Sequence, residues 1–456
     1  MKVTPHVSPD LLGVIQSIIR AGGRAFLVGG AVRDTVLNIP FYDADIEVHG
    51  LSEEKLETVL KQHGTVSYVG KAFGVFRIHT IDADWSLPRT DSSGRKPIVM
   101  VDPGMSIEKA LRRRDITMNA MAIDLQTHEL IDPFGGIEDM RNKKLRAVDP
   151  VLFEEDPLRF FRVMQLMSRF EMDPDEELND LCSRIMLTTV SRERIEEEFR
   201  KLLLLSCNPS KGIRWLASIN RLRDLLPELY ATIDVPQNPQ WHPEGDVFEH
   251  SMQALDAAAL IAQKYDTEFY KLVLLYAALC HDLGKVSTTK TMNGIIKSIG
   301  HEVKSKEYAR MMLRRITHHK ELIQAVECLV FFHMMPLQFI KNKAKLSAYK
   351  RLAAKLLSSV SLSFLADLCL ADKQGRNGEA QRPLSGSNND VESFIAQAEA
   401  AGVLYAPEDA IITGADLKGY CNPGPRYGRL LAQAYEIQIN EGITEKAILL
   451  KRILKN

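Results

Sequence analysis

The chain has 456 residues, long for one core, and at the usual ~100–200 residues per domain three or so units are expected, one built on a sheet and the others helical. Hydrophobic residues make up 45% and charged residues 26%, the proportions of an ordinary globular chain, and no apolar run approaches the ~20 residues a bilayer requires, which argues against a membrane protein. A net charge of −1 excludes a basic average as the source of nucleic-acid affinity, so any phosphate binding has to come from local Lys and Arg clusters.

The N-terminus, MKVTPHVSPD, lacks the charged start and apolar core of a secretory signal, and a soluble cytoplasmic protein is expected. Cys182, Cys207, Cys280, Cys328, Cys369 and Cys421 are scattered without a CxxC pair, so buried reduced thiols are expected rather than a zinc knuckle or a disulfide framework.

Residues 24 to 150 alternate β-type runs (RAFLVGG, DADIEVHG, FGVFRIHT) with a helical stretch after each of the first two, the pattern of a compact α/β unit. From Asp149 to about Pro236 the pattern is helical. RFFRVMQLMSRF sets Phe160, Val163, Met164, Met167 and Phe170 on one face, and SRERIEEEFRKLLLL follows with its own apolar stripe. Helical character continues from Val247 to the end, interrupted at 375–390 by GRNGEAQRPLSGSNND, which reads as a surface loop. There is no repeat of 20 to 50 residues and no low-complexity tract. Four segments result: a head at 1–148, a helical neck at 149–236, a third domain at 237–380 and a C-terminal helical tail at 381–456.

Two clusters carry chemistry. In the first, FLVGGAVRD ends an apolar strand in a Gly-Gly turn that runs into a helical pattern. Such a turn aims backbone N–H groups at whatever sits above Gly29 and Gly30, a position suited to phosphate, and Arg33 in the first turn can fork onto phosphate oxygens. Asp43 and Asp45 begin the next β-type run, and residues two apart on a strand share a face. Paired carboxylates are costly unless a divalent cation lies between them, which suggests Mg²⁺ and phosphoryl chemistry. Either half alone reads as an ordinary turn or a solvated acidic pair; it is the combination that points to a site. Asp84 in ADWSLPR is a third acidic candidate.

RRRDITMNA places three arginines before an apolar helical stretch. Like charges crowd there and the dipole of a helix start prefers anions, a conflict a bound anion would resolve. In EEDPLRFFR, Asp156 is a good N-cap with Pro157 at the first helical position. Arg159 follows three residues later and can face the same pocket. An Asp acceptor beside an Arg donor can read the edges of C and A, whose exocyclic amino groups G and U lack in the matching place.

GGAVRD, DAD, RRRDITMNAMA (112–122), DPFGG (132–136) and EEDPLRFFR (154–162) occur in this order, and over roughly residues 24 to 260 the chain resembles the class II tRNA nucleotidyltransferase and bacterial poly(A) polymerase family of the polymerase β-like superfamily. The resemblance implies an α+β nucleotidyltransferase head followed by all-α domains. It implies Mg²⁺ ions on Asp43 and Asp45, Gly30 and Arg33 on the triphosphate, and Arg113, Arg114 and Asp115 on the nucleotide sugar and phosphates with Asn119 behind them. Glu155, Asp156 and Arg159 would read the base, with Arg162 nearby on the nucleotide.

The second cluster lies between residues 242 and 372. WHPEGDVFEHSMQALD supplies His250, LYAALCHDLGK supplies His281 and Asp282, and FLADLCLADKQGR supplies Asp372. An adjacent His-Asp with another His and Asp far off in sequence resembles the ligand set of HD-type metal phosphohydrolases, and His301 and His333 can complete a second metal position. Such ligands suit a transition metal with open water positions, such as Ni²⁺, Mn²⁺ or Fe²⁺.

The order of head then HD domain, with ITGADLKGY at 412–420, resembles the bacterial CCA-adding enzymes that carry an HD domain. This implies addition of CCA from CTP and ATP to the 3′ end of tRNA, together with phosphatase and 2′,3′-cyclic phosphodiesterase activity. A poly(A) polymerase, or an enzyme adding only CC or only A, shares the same motifs. A reading of another class is an RNA-binding or nucleotide-sensing regulator with an inert head, against which the intact Asp43, Asp45, Asp156 and Arg159 argue. The run KNKAKLSAYKRLAAK at 341–355, with Lys341, Lys343, Lys345, Lys350, Arg351 and Lys355 and no acid, is usually a solvated helix face and is here the candidate patch for the tRNA backbone. The oligomeric state is left open.

Overall fold

The computed structural model describes the whole chain apart from residues 42, 70–73, 92–98, 419, 421–423 and 455–456. The chain divides into two compact units, Met1–Phe199 and Arg200–Asn456. The division falls within the helix Arg192–Leu205, inside the stretch expected as one neck.

The first unit is built on a seven-stranded sheet. Its strands are β1 (Arg24–Val28), β2 (Ala44–His49), β3 (Val66–Val69), β4 (Val75–Ile78) and β5 (Ala83–Ser86), then, after a separate pair β6 (Arg89–Asp91) and β7 (Val99–Val101), β8 (Ala122–Asp124) and β9 (Leu130–Ile131). The spatial order is β3-β4-β5-β2-β1-β8-β9. β2 and β5 run parallel and the other neighbours antiparallel. β1 is an interior strand between β2 and β8 and is buried except at Arg24, as expected of a strand covered on both faces. Helices Gly30–Val36 and Glu53–Leu60 follow the first two strands as the pattern predicts; Phe73 of the third predicted run lies outside the described residues.

After the head the chain turns helical. In Leu158–Phe170 the five predicted core residues are buried, and so are Phe161 and Leu166, so the apolar face is wider than the sequence stripe. That helix stops where Glu171 takes φ 52°, the left-handed cap geometry that ends many helices.

In the second unit, Val247–Ile261, Glu268–Cys280, His301–Ile316, Lys320–Phe332 and Leu362–Gln374 form an all-α core, with a hairpin of Thr289–Met292 and Ile295–Ser298 inserted. Contrary to the expectation that no apolar run approaches that length, the run Lys320–Lys341 is long and apolar enough to cross a membrane by length and composition alone, with mean hydropathy 1.5. Half of it is buried inside the protein and Pro336 interrupts it, so it is a core helix pair.

The expected tail is not one piece. Phe394, on the helix Asn389–Ala400, packs its ring 5.2 Å from Tyr349, within the helical core. A separate small core of Ile412, Leu417, Leu430, Ala434, Leu449 and Ile453 begins beyond it. The loop at 375–390 is at the surface but pinned, since Gln253 bonds both the carbonyl and the amide of Asn377. Cys182, Cys280, Cys328 and Cys369 are buried and Cys207 is exposed, and Cys421 and Gly419 lie outside the described residues.

Candidate active sites

β1 ends at Val28, and Gly29 turns the chain with φ 73°, a conformation glycine takes without steric cost. A Cβ at Gly29 would stand 2.6 Å from Arg114 Nη1 and 3.3 Å from Asp45 Oδ2. Conformation and close approach both require glycine here, and the same distances bring a guanidinium and a carboxylate together over the turn.

Strand register places Asp45 opposite Val28 on β1 and opposite Asp84 on β5, so the two carboxylates share a face. Asp43 and Asp45 are open to solvent at the strand start. The enclosing walls, together with Asp84 and Asp43, nevertheless push Asp45 above the usual carboxylate range against the pull of Arg114. A divalent cation would reverse that repulsion. Asp84 accepts from Arg77 Nε at 2.6 Å, so the third acid is on the right face but already paired.

Arg33 departs from expectation. It is 5% exposed, and it donates to Asp34 Oδ1 at 2.8 Å and to Asn119 Oδ1 at 2.9 Å. Its guanidinium lies 4.5 Å from the Phe170 ring centre. Burial lowers its pKa against the pull of Asp34. The expected fork onto phosphate is therefore not free, and Arg33 instead supports the turn from within.

The arginine row also needs correction. Arg112 is the last residue of the helix Ile107–Arg112 and Arg113 its C-cap, so the row sits at a helix end, where the dipole favours cations. No anion is needed to explain it. Arg112 pairs with Asp149 at 2.9 Å, Arg113 donates to the Arg89 carbonyl at 3.1 Å, and Arg114 is the member that reaches Gly29 and Asp45. Behind them Asn119 donates to Asp115 at 3.2 Å and Arg162 meets Asp115 at 2.6 Å. Burial alone would raise Asp115, but Arg162, the Ile116 amide and Asn119 hold it below the usual range.

The residues expected to read the base are engaged elsewhere. Asp156 caps the Leu158 amide at 3.1 Å and pairs with Arg194 at 2.9 Å. Arg159 donates to the carbonyls of Leu152 at 2.7 Å and Arg113 at 2.5 Å, which ties the helix Leu158–Phe170 to the arginine row. Glu155 is exposed. DPFGG is structural: Asp132 accepts from the amides of Gly136 and Ile137 at 2.7 and 2.9 Å, and a Cβ on Gly136 would lie 2.4 Å from the Thr117 carbonyl oxygen.

In the second unit the predicted ligands converge. His250 Nε2 lies 3.1 Å from His281 Nε2 and 3.2 Å from Asp372 Oδ1. His301 Nε2 lies 3.1 Å from His333 Nε2 and 3.2 Å from Asp282 Oδ1. Asp282 faces both groups, since its Oδ2 is 3.3 Å from His281 Nε2. All six residues are buried. Each histidine directs Nδ1 to an oxygen: His250 to Glu244 and Gly375, His281 to Ala278, His301 to Ser298 and His333 to Val330. That pattern leaves the four Nε2 atoms facing one another, the arrangement of metal-binding imidazoles.

The electrostatics agree. Burial would lower His250, but Asp372 and Glu244 hold it up at about 9, whereas burial and the neighbouring His301 and His281 take His333 down to about 3. Imidazoles so close in a dry site cannot all carry protons, and a cation shared among the Nε2 atoms resolves the conflict. The residues therefore fit metal binding: His250, His281 and Asp372 would hold one ion and Asp282, His301 and His333 a second.

Three contributors escaped the sequence reading. Glu244 sits beside His250. Lys285 pairs with Asp282 at 2.7 Å; it was visible as the last residue of CHDLGK but had no assigned part. Arg376 pairs with Asp372 at 2.6 Å. In the basic run, Lys350 pairs with Glu408 at 2.5 Å and Arg351 with Glu436 at 2.9 Å, so two of its six cations are already neutralised.

Residues 25–146 match the poly(A) polymerase head domain, and residues 247–373 match the HD domain. The multifunctional CCA protein of Mannheimia succiniciproducens is 34% identical over 377 residues, covering 78% of this chain and 85% of that protein. That of Neisseria meningitidis is 32% identical over 370 residues, covering 79% and 84%. Among solved structures, the Thermotoga maritima CCA-adding enzyme complexed with tRNA superposes with TM-score 0.61 at 20% identity, covering 98% of this chain and 96% of that one. A CCA-adding enzyme in complex with CTP gives TM-score 0.65 at 18% identity, with coverage of 98% and 96%. With a nucleotidyltransferase-type head, an HD domain and relatives of this identity along most of its length, the chain belongs to the family of the multifunctional CCA proteins.

Proposed function

We propose that the head adds C, C and A from CTP and ATP to the 3′ end of tRNA, and that the HD domain removes phosphate from damaged RNA ends, both in the cytoplasm. The observation that carries the first activity is the meeting of Asp45, Arg114 and Gly29 at one turn, within a chain of this family. Asp43 and Asp45 would hold Mg²⁺, which supplies activation of the attacking hydroxyl and charge stabilisation of the leaving pyrophosphate. Gly29 leaves room for the nucleotide phosphates, and Arg114 brings positive charge to them. Asp156 and Arg159 read the base once their present partners, Arg194 and two carbonyls, give way to it.

The second activity rests on the four inward Nε2 atoms and their two carboxylates. Nitrogen and oxygen donors of this kind suit Ni²⁺ or Mn²⁺. Water then opens a 2′,3′-cyclic diester to a monoester, and a second water releases phosphate and leaves the hydroxyl that the head requires as nucleophile. The working division is a head at 1–148, base reading in 149–236, hydrolysis from 237 through the helix Asn389–Ala400, and a small terminal segment beyond it.

Incubation of the protein with tRNA lacking its 3′ end, CTP and ATP, followed by sizing of the product, tests the first reading. Three added nucleotides are expected. A long A tail would assign poly(A) polymerase activity instead, and no addition would leave the head as an inert sensor.

A further inference from the structure

The HD-type ligands do not stand alone in a buried core. They open into a cavity of about 990 Å³, near the upper end of the ~300–1,000 Å³ of small-molecule sites. Asp282, His301 and Asp372 form part of its lining, and Lys285 and Arg376 bring positive charge to it. The rest of the lining mixes polar and charged side chains with an apolar stretch that includes Trp241, Ile299 and Leu337. Trp241 lines the cavity with 60% of its surface exposed, and Ile299 with 74%. The other tryptophans, Trp85 and Trp215, are 0% and 6% exposed, as expected of the residue with the largest apolar area to bury.

Trp241 is open but fixed. The Asn238 side chain accepts from the Gln240 amide at 3.0 Å, and the Asn238 carbonyl accepts from the amides of Trp241 and His242 at 3.0 and 2.9 Å. The adjacent His242 ring packs edge-on 4.8 Å from His250 and bonds Glu244 at 2.9 Å. The indole is thus carried on a loop locked to the ligand set itself. A flat apolar wall, cations and a set of metal ligands in one cavity call for a ligand with a flat apolar ring at one end and a phosphate ester at the other. A nucleoside phosphate has that form.

We propose that Trp241 is the stacking platform for the base of a nucleoside 2′,3′-cyclic or 3′-phosphate whose phosphate reaches the His and Asp ligands. The proposal rests on the hydrolytic reading of the HD domain. It adds a residue that selects nucleosides over simple phosphate esters. The nucleoside can be free or the terminal residue of an RNA, since the chemistry at the cavity is the same.

The test uses the full-length protein loaded with Mn²⁺ or Ni²⁺. Hydrolysis of adenosine 2′,3′-cyclic phosphate is compared with that of 1-O-methylribose 2′,3′-cyclic phosphate, a diester with the same ribose and cyclic ester but no aromatic ring. In Trp241→Ala the ratio of kcat/KM between the two should fall about tenfold, mainly through KM, in keeping with the worth of one base-aromatic stack, and Trp241→Phe should restore most of it. In the metal-free protein, tryptophan emission should be quenched saturably by adenosine 2′,3′-cyclic phosphate and not by inorganic phosphate, and the change should vanish in Trp241→Ala. An unchanged ratio in Trp241→Ala, or equal quenching by inorganic phosphate, overturns the platform. If the wild-type protein hydrolyses neither diester, the hydrolytic reading falls, while saturable base-dependent quenching would still support Trp241. An oligoribonucleotide with a 2′,3′-cyclic end, cleared with the same dependence on Trp241, would assign the RNA terminus as the source; dependence confined to the mononucleotide would assign the free compound.

Discussion

Nδ1 of His250 lies 2.7 Å from Oε1 of Glu244, so a carboxylate outside the ligand set decides which nitrogen of that histidine faces the metal position. Such a partner fixes the ring and raises its basicity, and its loss typically weakens metal affinity 10–100-fold. Glu244→Ala should therefore bind Mn²⁺ about 10–100-fold more weakly by calorimetric titration while keeping the helical content of the wild type. Unchanged affinity would reduce Glu244 to a packing residue.

Asp43→Ala and Asp45→Ala should each abolish nucleotide addition, the outcome the proposed role of both carboxylates in holding the cations requires. Folding and RNA binding should survive, because both residues are exposed. Addition above a few per cent of the wild-type rate in either variant would remove that residue from catalysis.

Arg159 has a double part to separate. Its two carbonyl partners, Leu152 and Arg113, predict a loss of stability on truncation of about 1–3 kcal/mol, the cost of leaving such groups without a partner. Loss of base reading predicts a further effect, a weaker preference for CTP over UTP, on the order of 1–3 kcal/mol. Thermal melting and nucleotide competition on Arg159→Ala and Arg159→Lys read the two apart. A destabilised variant with wild-type preference would place base reading elsewhere.

His281→Ala or Asp282→Ala should stop phosphate release from a 2′,3′-cyclic or 3′-phosphorylated RNA end and spare addition to a clean 3′-hydroxyl. The ligands of the two activities belong to different compact units. Removing a buried ligand also loosens the helices that carry it, so melting is followed alongside. Equal loss of both activities in a folded variant would mean one shared site, and intact hydrolysis would make the cluster structural.

The contrast between Asp45 and Arg33 shows where sequence reasoning reaches. Strand alternation is a local rule, and the register puts Asp45 on the face it shares with Asp84, while Asp43 stands just before the strand. Whether a first-turn arginine faces a ligand or the interior depends on partners distant in sequence, and Asn119, which holds Arg33, comes 86 residues later. The arginine row was misread for a related reason. Ser106 caps the helix that the row ends, but the eye follows the apolar stretch after it, which folds as a short 3-10 turn and a strand. The convergence of the His and Asp cluster was legible in part because histidine and aspartate stand out on the apolar helices Val247–Ile261, Glu268–Cys280 and Leu362–Gln374. Glu244 was not, since a carboxylate in a polar loop looks like any other until the fold sets it against His250. The tail escaped because helical periodicity does not say which core a helix joins.

The basic run at 341–355 has a consequence of linkage. Lys350 and Arg351 are neutralised by Glu408 and Glu436, and Glu436 belongs to the helix Pro425–Glu441, whose Leu430 and Ala434 sit in the small terminal core. A polyanion that recruits these two cations competes with the terminal segment for them. Docking of that segment and any binding of a polyanion through Lys350 and Arg351 are therefore coupled equilibria of opposite sign, and whatever strengthens one must weaken the other by the same factor.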